Sequence, residues 1–127
     1  MTSDQRCPCR SGETLAQCCG RHLDGAAAPT AQALMRSRYT AFALGDPEYL
    51  SDTWHPSTRP SSIELDPEQR WLHLTVESAS GGGPFDTDGI VEFTAVYRTP
   101  AGRGELRERS RFVREDGRWY YVDGDVS

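Results

Sequence analysis

A chain of 127 residues, 36% hydrophobic and 9% aromatic, has material for one core and a small appendage. Its net charge of −5 and pI of about 5.1 argue against unaided binding to nucleic acid or anionic lipid. No apolar run approaches a membrane span, and all 14 basic residues are arginine, which closes lysine Schiff-base chemistry.

Met1 to Arg6 is a polar lead-in. Cys7-Pro8-Cys9-Arg10-Ser11-Gly12-Glu13-Thr14-Leu15-Ala16-Gln17-Cys18-Cys19-Gly20 then holds every cysteine of the chain, as two tight pairs. Four soft ligands from the ends of one loop suit tetrahedral coordination, with metal–sulfur bonds of roughly 2.3 Å for zinc. Bridges between adjacent cysteines are disfavoured, because neighbouring Cα atoms lie about 3.8 Å apart and a relaxed disulfide wants roughly 4.4–6.8 Å. Cross-pair bridges, Cys7–Cys18 with Cys9–Cys19, need an oxidising compartment. The first residues lack the basic-then-apolar run of a signal peptide, so the expected setting is the reducing cytoplasm. There, clustered cysteines serve as metal ligands or redox thiols.

Cys7, Cys9, Cys18 and Cys19 are therefore the candidate ligands of zinc, with iron possible because thiolates discriminate weakly between the two. Four protein sulfurs leave no open position, which marks a structural site rather than a catalytic one. His22 is an alternative ligand or an exposed linker residue. Pro8 stiffens the first pair, Gly12 permits a positive φ in the turn, and Ser11 brings a hydroxyl toward the metal. Thr14 to Gln17 reads as a helical turn delivering the second pair, with Gly20 as its stop. Arg6, Arg10, Leu15, Arg21 and His22 are the side chains such a knuckle would present to a protein partner. A redox or metal-handling role for Cys18-Cys19 is a further alternative.

An alanine-rich linker, Arg21 to Pro29, leads to a helix capped by Thr30, running Ala31 to Leu44 and stopped by Gly45. Leu34, Met35, Arg38, Tyr39, Phe42 and Ala43 share its broad inner face. Asp46-Pro47 opens a second helix expected to reach His55, and Asp66-Pro67 a short helical turn toward Arg70. From Trp71 the period falls to two, with Leu72, Leu74 and Val76 on one face. Ala79 to Asp86 reads as a flexible loop. Ile90 to Thr99 is a second strand with Val91, Phe93, Ala95 and Tyr97 inward. Glu105 to Arg114 is a third, and after the Asp116-Gly117 turn Trp119 to Val122 is a fourth. The expected fold class is α+β: two to three helices on a four-stranded antiparallel meander.

In the third strand Leu106, Glu108, Ser110 and Phe112 share one face, so Glu108 is drawn into the core. A buried carboxylate needs a partner, and Arg38 or Arg36 is the natural one. The simplest reading is an ion pair locking helix to sheet. The functional reading is a polar pocket with His55, Glu108, Tyr97, Tyr121 and Arg38 as candidate residues. Arg107, Arg109 and Arg111 form an outer stripe neutralised by Glu105, Glu115 and Asp116. Asp86/Asp88 and Asp123/Asp125 read as solvating pairs. No phosphate loop or nucleophile elbow is present.

The spacing C-P-C-x-S-G-x(5)-C-C-G resembles the SEC-C motif, the metal-binding module at the C-terminus of the SecA translocation ATPase. Leu34-Met35-Arg36-Ser37-Arg38-Tyr39-Thr40-Ala41-Phe42, Thr53-Trp54-His55-Pro56, Glu108-Arg109-Ser110-Arg111-Phe112 and Trp119-Tyr120-Tyr121-Val122-Asp123-Gly124 resemble the YchJ family. That resemblance covers Cys7 to Asp125. It implies a SEC-C-like knuckle over 1–23, a nuclear transport factor 2-like, cystatin-like cone over 30–127, and a role in protein interaction. SecA-type knuckles carry lysines where this one has Glu13-Thr14-Leu15-Ala16-Gln17, which weakens any transfer of SecA's own partners, the SecB chaperone and acidic lipids. The functional expectation is a zinc-stabilised, non-enzymatic adaptor, with a ligand-binding or enzymatic pocket in the cone as the alternative.

Overall fold

Among the described residues three helices and four strands follow one another: α1 Cys19–Leu23, α2 Ala31–Leu44, α3 Pro47–Asp52, β1 Arg70–Gly81, β2 Asp88–Thr99, β3 Gly102–Glu115 and β4 Arg118–Val126. The computed structural model describes residues 5–126; residues 1–4 of the expected lead-in, and residue 127, lie outside them. The strands pair antiparallel in the order β1-β2-β3-β4. Helix α2 lies across the curved sheet, touching β1, β2 and β4, and α1 packs on α2. This is the α+β layering read from the sequence.

Helix α2 begins and ends where its caps dictate. Thr30 Oγ1 accepts from the Ala33 amide at 3.0 Å, and Gly45 adopts a left-handed φ of 76°. Helix α3 opens on Asp46, whose side chain accepts from the Tyr49 amide, with Pro47 in the first turn. It stops at Asp52, short of the expected His55. The main chain beyond it is captured by β4: Tyr121 N donates to Thr53 O and His55 N to Tyr121 O, both at 2.8 Å. This segment covers an exposed sheet edge. The expected helical turn after Asp66 is instead a simple turn, in which Asp66 Oδ1 accepts from the Glu68 amide at 2.9 Å.

Bulges decide which side chains face inward. Register shifts fall between Trp71 and His73 and between Val76 and Ser78. The first lets Trp71 pack, with Val76, against the core cluster that holds Leu74, which Leu72 does not join. A third shift, at Arg111/Phe112, leaves Val122 as the extra residue of β4. Tyr121 therefore pairs with Phe112 on the inner face while Asp123 pairs with Arg111 on the outer one. Strand β1 continues to Gly81, and the glycine segment is docked: Gly82 O accepts from the Ala31 amide at 2.9 Å. Both findings replace the loop expected from Ala79. The core joins Leu34, Tyr39, Val91, Phe112 and Trp119 with Cys7, Cys9 and Cys19 in one cluster.

Candidate metal centre and cone cavity

The knuckle begins as a miniature hairpin. Arg6 bridges Thr14, Cys7 N donates to Glu13 O at 3.0 Å, and Arg10 N donates back to Cys7 O at 3.0 Å. Gly12 has the expected positive φ, 95°, and Arg10 also lies in the left-handed region at 62°. Leu15 O then accepts from Cys18 N at 3.2 Å and Gly20 N at 2.7 Å. Gly20 sits inside α1 and does not end it. A Cβ there would lie 2.6 Å from Leu15 O, so glycine is required by close approach.

This backbone brings the sulfurs of Cys7, Cys9, Cys18 and Cys19 within 4.8 Å of one another. A tetrahedron with metal–sulfur bonds of roughly 2.3 Å has edges of roughly 3.8 Å. The Cys9–Cys18 and Cys18–Cys19 sulfurs are 3.7 and 3.9 Å apart. All four cysteines are free, so no cross-pair bridge forms. Ser11 donates its hydroxyl to Cys18 Sγ at 3.1 Å, as the sequence suggested. Thiols packed this tightly cannot all ionise without a cation. A hydrogen bond with Cys19, then one with Cys9, holds Cys7 well below the ordinary thiol range, and the same bond to Cys7 pushes Cys19 well above it. The donor set and its spacing fit a single thiophilic ion.

The knuckle is built into the domain. Cys7, Cys9 and Cys19 are buried, Cys7 Sγ lies 3.6 Å from the buried Thr40 hydroxyl, and Arg36 Nη1 donates to Cys9 O at 3.3 Å. Thr40 escaped the sequence reading. Its signal was its place one turn after Arg36, a polar stripe beside the apolar face of α2. Arg6, Arg10 and Arg21 are exposed. Leu15, expected with them, packs against the core cluster. His22 is neither a fifth candidate ligand nor an exposed linker residue: it is buried, and its Nδ1 pairs with Ala26 O at 3.0 Å.

A second feature lies between α2 and the sheet, a partly open cavity of about 210 Å³. Leu106, Glu108, Ser110 and Phe112 line it together, as the alternation of β3 requires. Trp54, Trp71, Phe93 and Tyr121 complete an aromatic wall, and Arg38 enters from α2. Trp71, Phe93 and Ser110 were not singled out from the sequence as pocket residues. The expected Arg38–Glu108 ion pair is absent as a direct contact. Arg38 Nη1 donates instead to Leu50 O at 2.8 Å and Thr53 Oγ1 at 2.7 Å. Its guanidinium lies 4.6 Å from the Tyr121 ring centre and 5.2 Å from that of Trp54. Glu108 Oε2 accepts from Ser110 at 2.6 Å and from the Tyr121 hydroxyl at 3.0 Å. Burial pushes the Arg38 guanidinium down to about 10. Burial, then the Glu108 carboxylate, pushes the Tyr121 phenol well up.

Two expected pocket residues are elsewhere. His55 pairs through Nε2 with Glu115 at 2.9 Å and through Nδ1 with Ser57 at 2.7 Å, because capture of its backbone by β4 turns it toward the β3–β4 end. Tyr97 packs edge-on against Trp71 at 5.5 Å and lies over Gly104, outside the cavity lining. The outer arginines find partners other than those expected. Arg109 pairs with Glu92 at 3.5 Å, and Arg111 with Asp123 at 2.5 Å and Asp125 at 3.0 Å. Asp123 and Asp125 are thus ion-pair partners, and Arg111 holds Asp125 below the usual carboxylate range.

Comparison with known proteins agrees with both halves of this description. The family model of the middle, NTF2-like domain of YchJ matches residues 30–124, and that of the SEC-C motif matches residues 5–21. A UPF0225 protein of Chromobacterium violaceum is 52% identical over 126 residues, covering 95% of this chain and 93% of its own. One from Streptomyces coelicolor is 53% identical over 120 residues, covering 94% of each. The solution structure of a SEC-C motif containing protein from Rhodopseudomonas palustris superposes with a TM-score of 0.84 at 36% identity, over 97% of this chain and 99% of that one. The crystal structure of a SEC-C motif containing protein from Psychrobacter arcticus gives 0.79 at 31% identity, over 99% and 85%. With its cysteine cluster, its NTF2-like α+β fold and relatives matched along nearly their whole length, the chain belongs to the YchJ, or UPF0225, family.

Proposed function

We propose that this protein is a zinc-stabilised binding protein without catalytic chemistry of its own. The proposed division is a knuckle over 1–23 and a cone over 30–127, with one ion clamping the described part of the knuckle, from residue 5, onto the cone. The supporting observation is the sulfur cluster, whose 3.7 and 3.9 Å edges match a closed tetrahedral shell. Iron is the other ion these thiolates would accept. Because three of the ligands belong to the core cluster, metal binding is coupled to folding of the whole amino end. Native mass spectrometry of freshly purified protein, before and after chelation, tests this. One zinc per chain is expected; protein that carries no metal, and whose NMR spectrum ignores added zinc, would overturn it.

The setting is the reducing cytoplasm, and no helix among the described residues is long and apolar enough to cross a membrane. For an adaptor role the docking face is charged, built from Arg6, Arg10 and Arg21, since Leu15 packs inward. Its partner is an acidic protein surface. Combined Arg10→Glu and Arg21→Glu changes should abolish partner recovery in a pull-down, and undiminished recovery would refute the face. A thiol-redox role would fall on Cys18, the one ligand only half-buried; zinc release by mild peroxide, reversed by reductant, is its test.

The cone cavity favours a second, compatible reading: small-molecule binding between α2 and the sheet. An acid–base pair of Glu108 with His55 is not assembled there, because His55 pairs with Glu115. Binding rather than turnover is what this cavity supports.

A further inference from the structure

Arg38 is only 6% exposed, yet no carboxylate lies within ion-pairing distance of it among the described residues. A buried cation is costly unless paired. Anchoring the end of α3 occupies Nη1 alone, through Leu50 O and Thr53 Oγ1. Nε and Nη2 donate to no group among the described residues. Arg38 is among the residues that line the cavity.

Two N–H groups on adjacent nitrogens make the fork that guanidinium offers to a carboxylate. The cavity's walls are largely flat and apolar, Trp54, Trp71, Phe93 and Phe112 among them. Glu108 is the opposing charge, but it is half-buried, and both of its protein donors converge on Oε2. Its field is better screened by solvent than that of the buried guanidinium. The less-screened charge decides what enters.

We propose that the cone cavity binds a small, flat, apolar molecule carrying one carboxylate, which Arg38 takes through Nε and Nη2. The proposal rests on reading the cavity as a binding site and names the class of its occupant. Three probes with one ring and different head groups separate the two ideas: cinnamate, cinnamamide and cinnamylamine, titrated into the zinc-loaded full chain and followed by amide and indole NMR shifts. Cinnamate should bind roughly tenfold tighter than cinnamamide, the scale of one charge-assisted bidentate contact, and cinnamylamine weakest. Arg38→Gln should bring acid and amide within about twofold of each other, and Glu108→Gln should tighten cinnamate. If Arg38→Gln fails to fold, the three wild-type affinities and the Glu108→Gln shift still decide. Equal affinities, or a preference for the amine, overturn the carboxylate assignment while leaving a binding cavity. Failure of all three to bind overturns both.

Discussion

Gly20→Ala separates local propensity from tertiary geometry, because the two predict opposite signs. In a helix interior, alanine is better than glycine by about 0.8–1.0 kcal/mol. Gly20 lies within α1, so propensity alone forecasts a more stable knuckle. The new Cβ, however, would stand 2.6 Å from Leu15 O and 3.1 Å from Leu15 C, both backbone atoms that cannot rotate away. Relieving the overlap must lengthen the Gly20 N to Leu15 O bond, now 2.7 Å, and shift Cys19 beside it. Overpacking costs about 1–3 kcal/mol, and an overlap with fixed backbone belongs in the upper half of that range, about 2–3, so the net effect is a loss of about 1–2 kcal/mol. Most of it falls on the metal, since Cys19 is a candidate ligand, and a loss of that size is roughly tenfold in zinc affinity. Competition with a chromophoric zinc chelator measures this directly. If Gly20→Ala holds zinc as tightly as the wild type or more tightly, close approach is not what keeps glycine there.

Three further outcomes are expected. Chelation should lower the melting temperature of the whole domain and move the Thr40 amide resonance; with free zinc a thousandfold above Kd the ion adds about 4 kcal/mol, or roughly 10–20 °C at this size. A fall of less than about 3 °C with Thr40 unmoved would mean that the knuckle hangs free. Phe112→Ala removes a side chain that is 1% exposed and meets Tyr121 edge-on at 5.8 Å, and should cost about 3 kcal/mol in urea unfolding, the low end for a buried phenylalanine because one flank already borders a cavity. A cost below about 1 kcal/mol would contradict the packing described. Burial pushes the Tyr39 phenol up from 10.0 to about 12, so its contribution to stability is complete below pH 10.0 and is lost as pH rises through about 12. Denaturant titrations across that window should show stability falling, and a flat profile would count against a buried, protonated Tyr39.

What the sequence settled by itself was whatever is decided within a few residues. Thr30 and Gly45 mark the ends of α2 because a side-chain cap and a left-handed residue act on the nearest turn. The two cysteine pairs converge because a short hairpin carries the first and the turn directly after it delivers the second. Leu106, Glu108, Ser110 and Phe112 line one cavity because side chains in an unbroken strand alternate.

Tertiary packing settled the rest. An extra residue at Val122 places Tyr121 and Asp123 on opposite faces, turning an apparently solvating aspartate into the partner of Arg111. The edge of β4 takes the main chain beyond Asp52, which shortens α3 and carries His55 away from Glu108. Gly20 reads as a stop from its neighbours and is a contact surface for Leu15 O in space. Arg38 reads as a counter-ion for Glu108, yet its Nη1 is taken by the end of α3 and its remaining N–H groups by none of the described residues. Bulges, edge capture and close approach depend on partners distant along the chain, and no local pattern encodes where those partners will be.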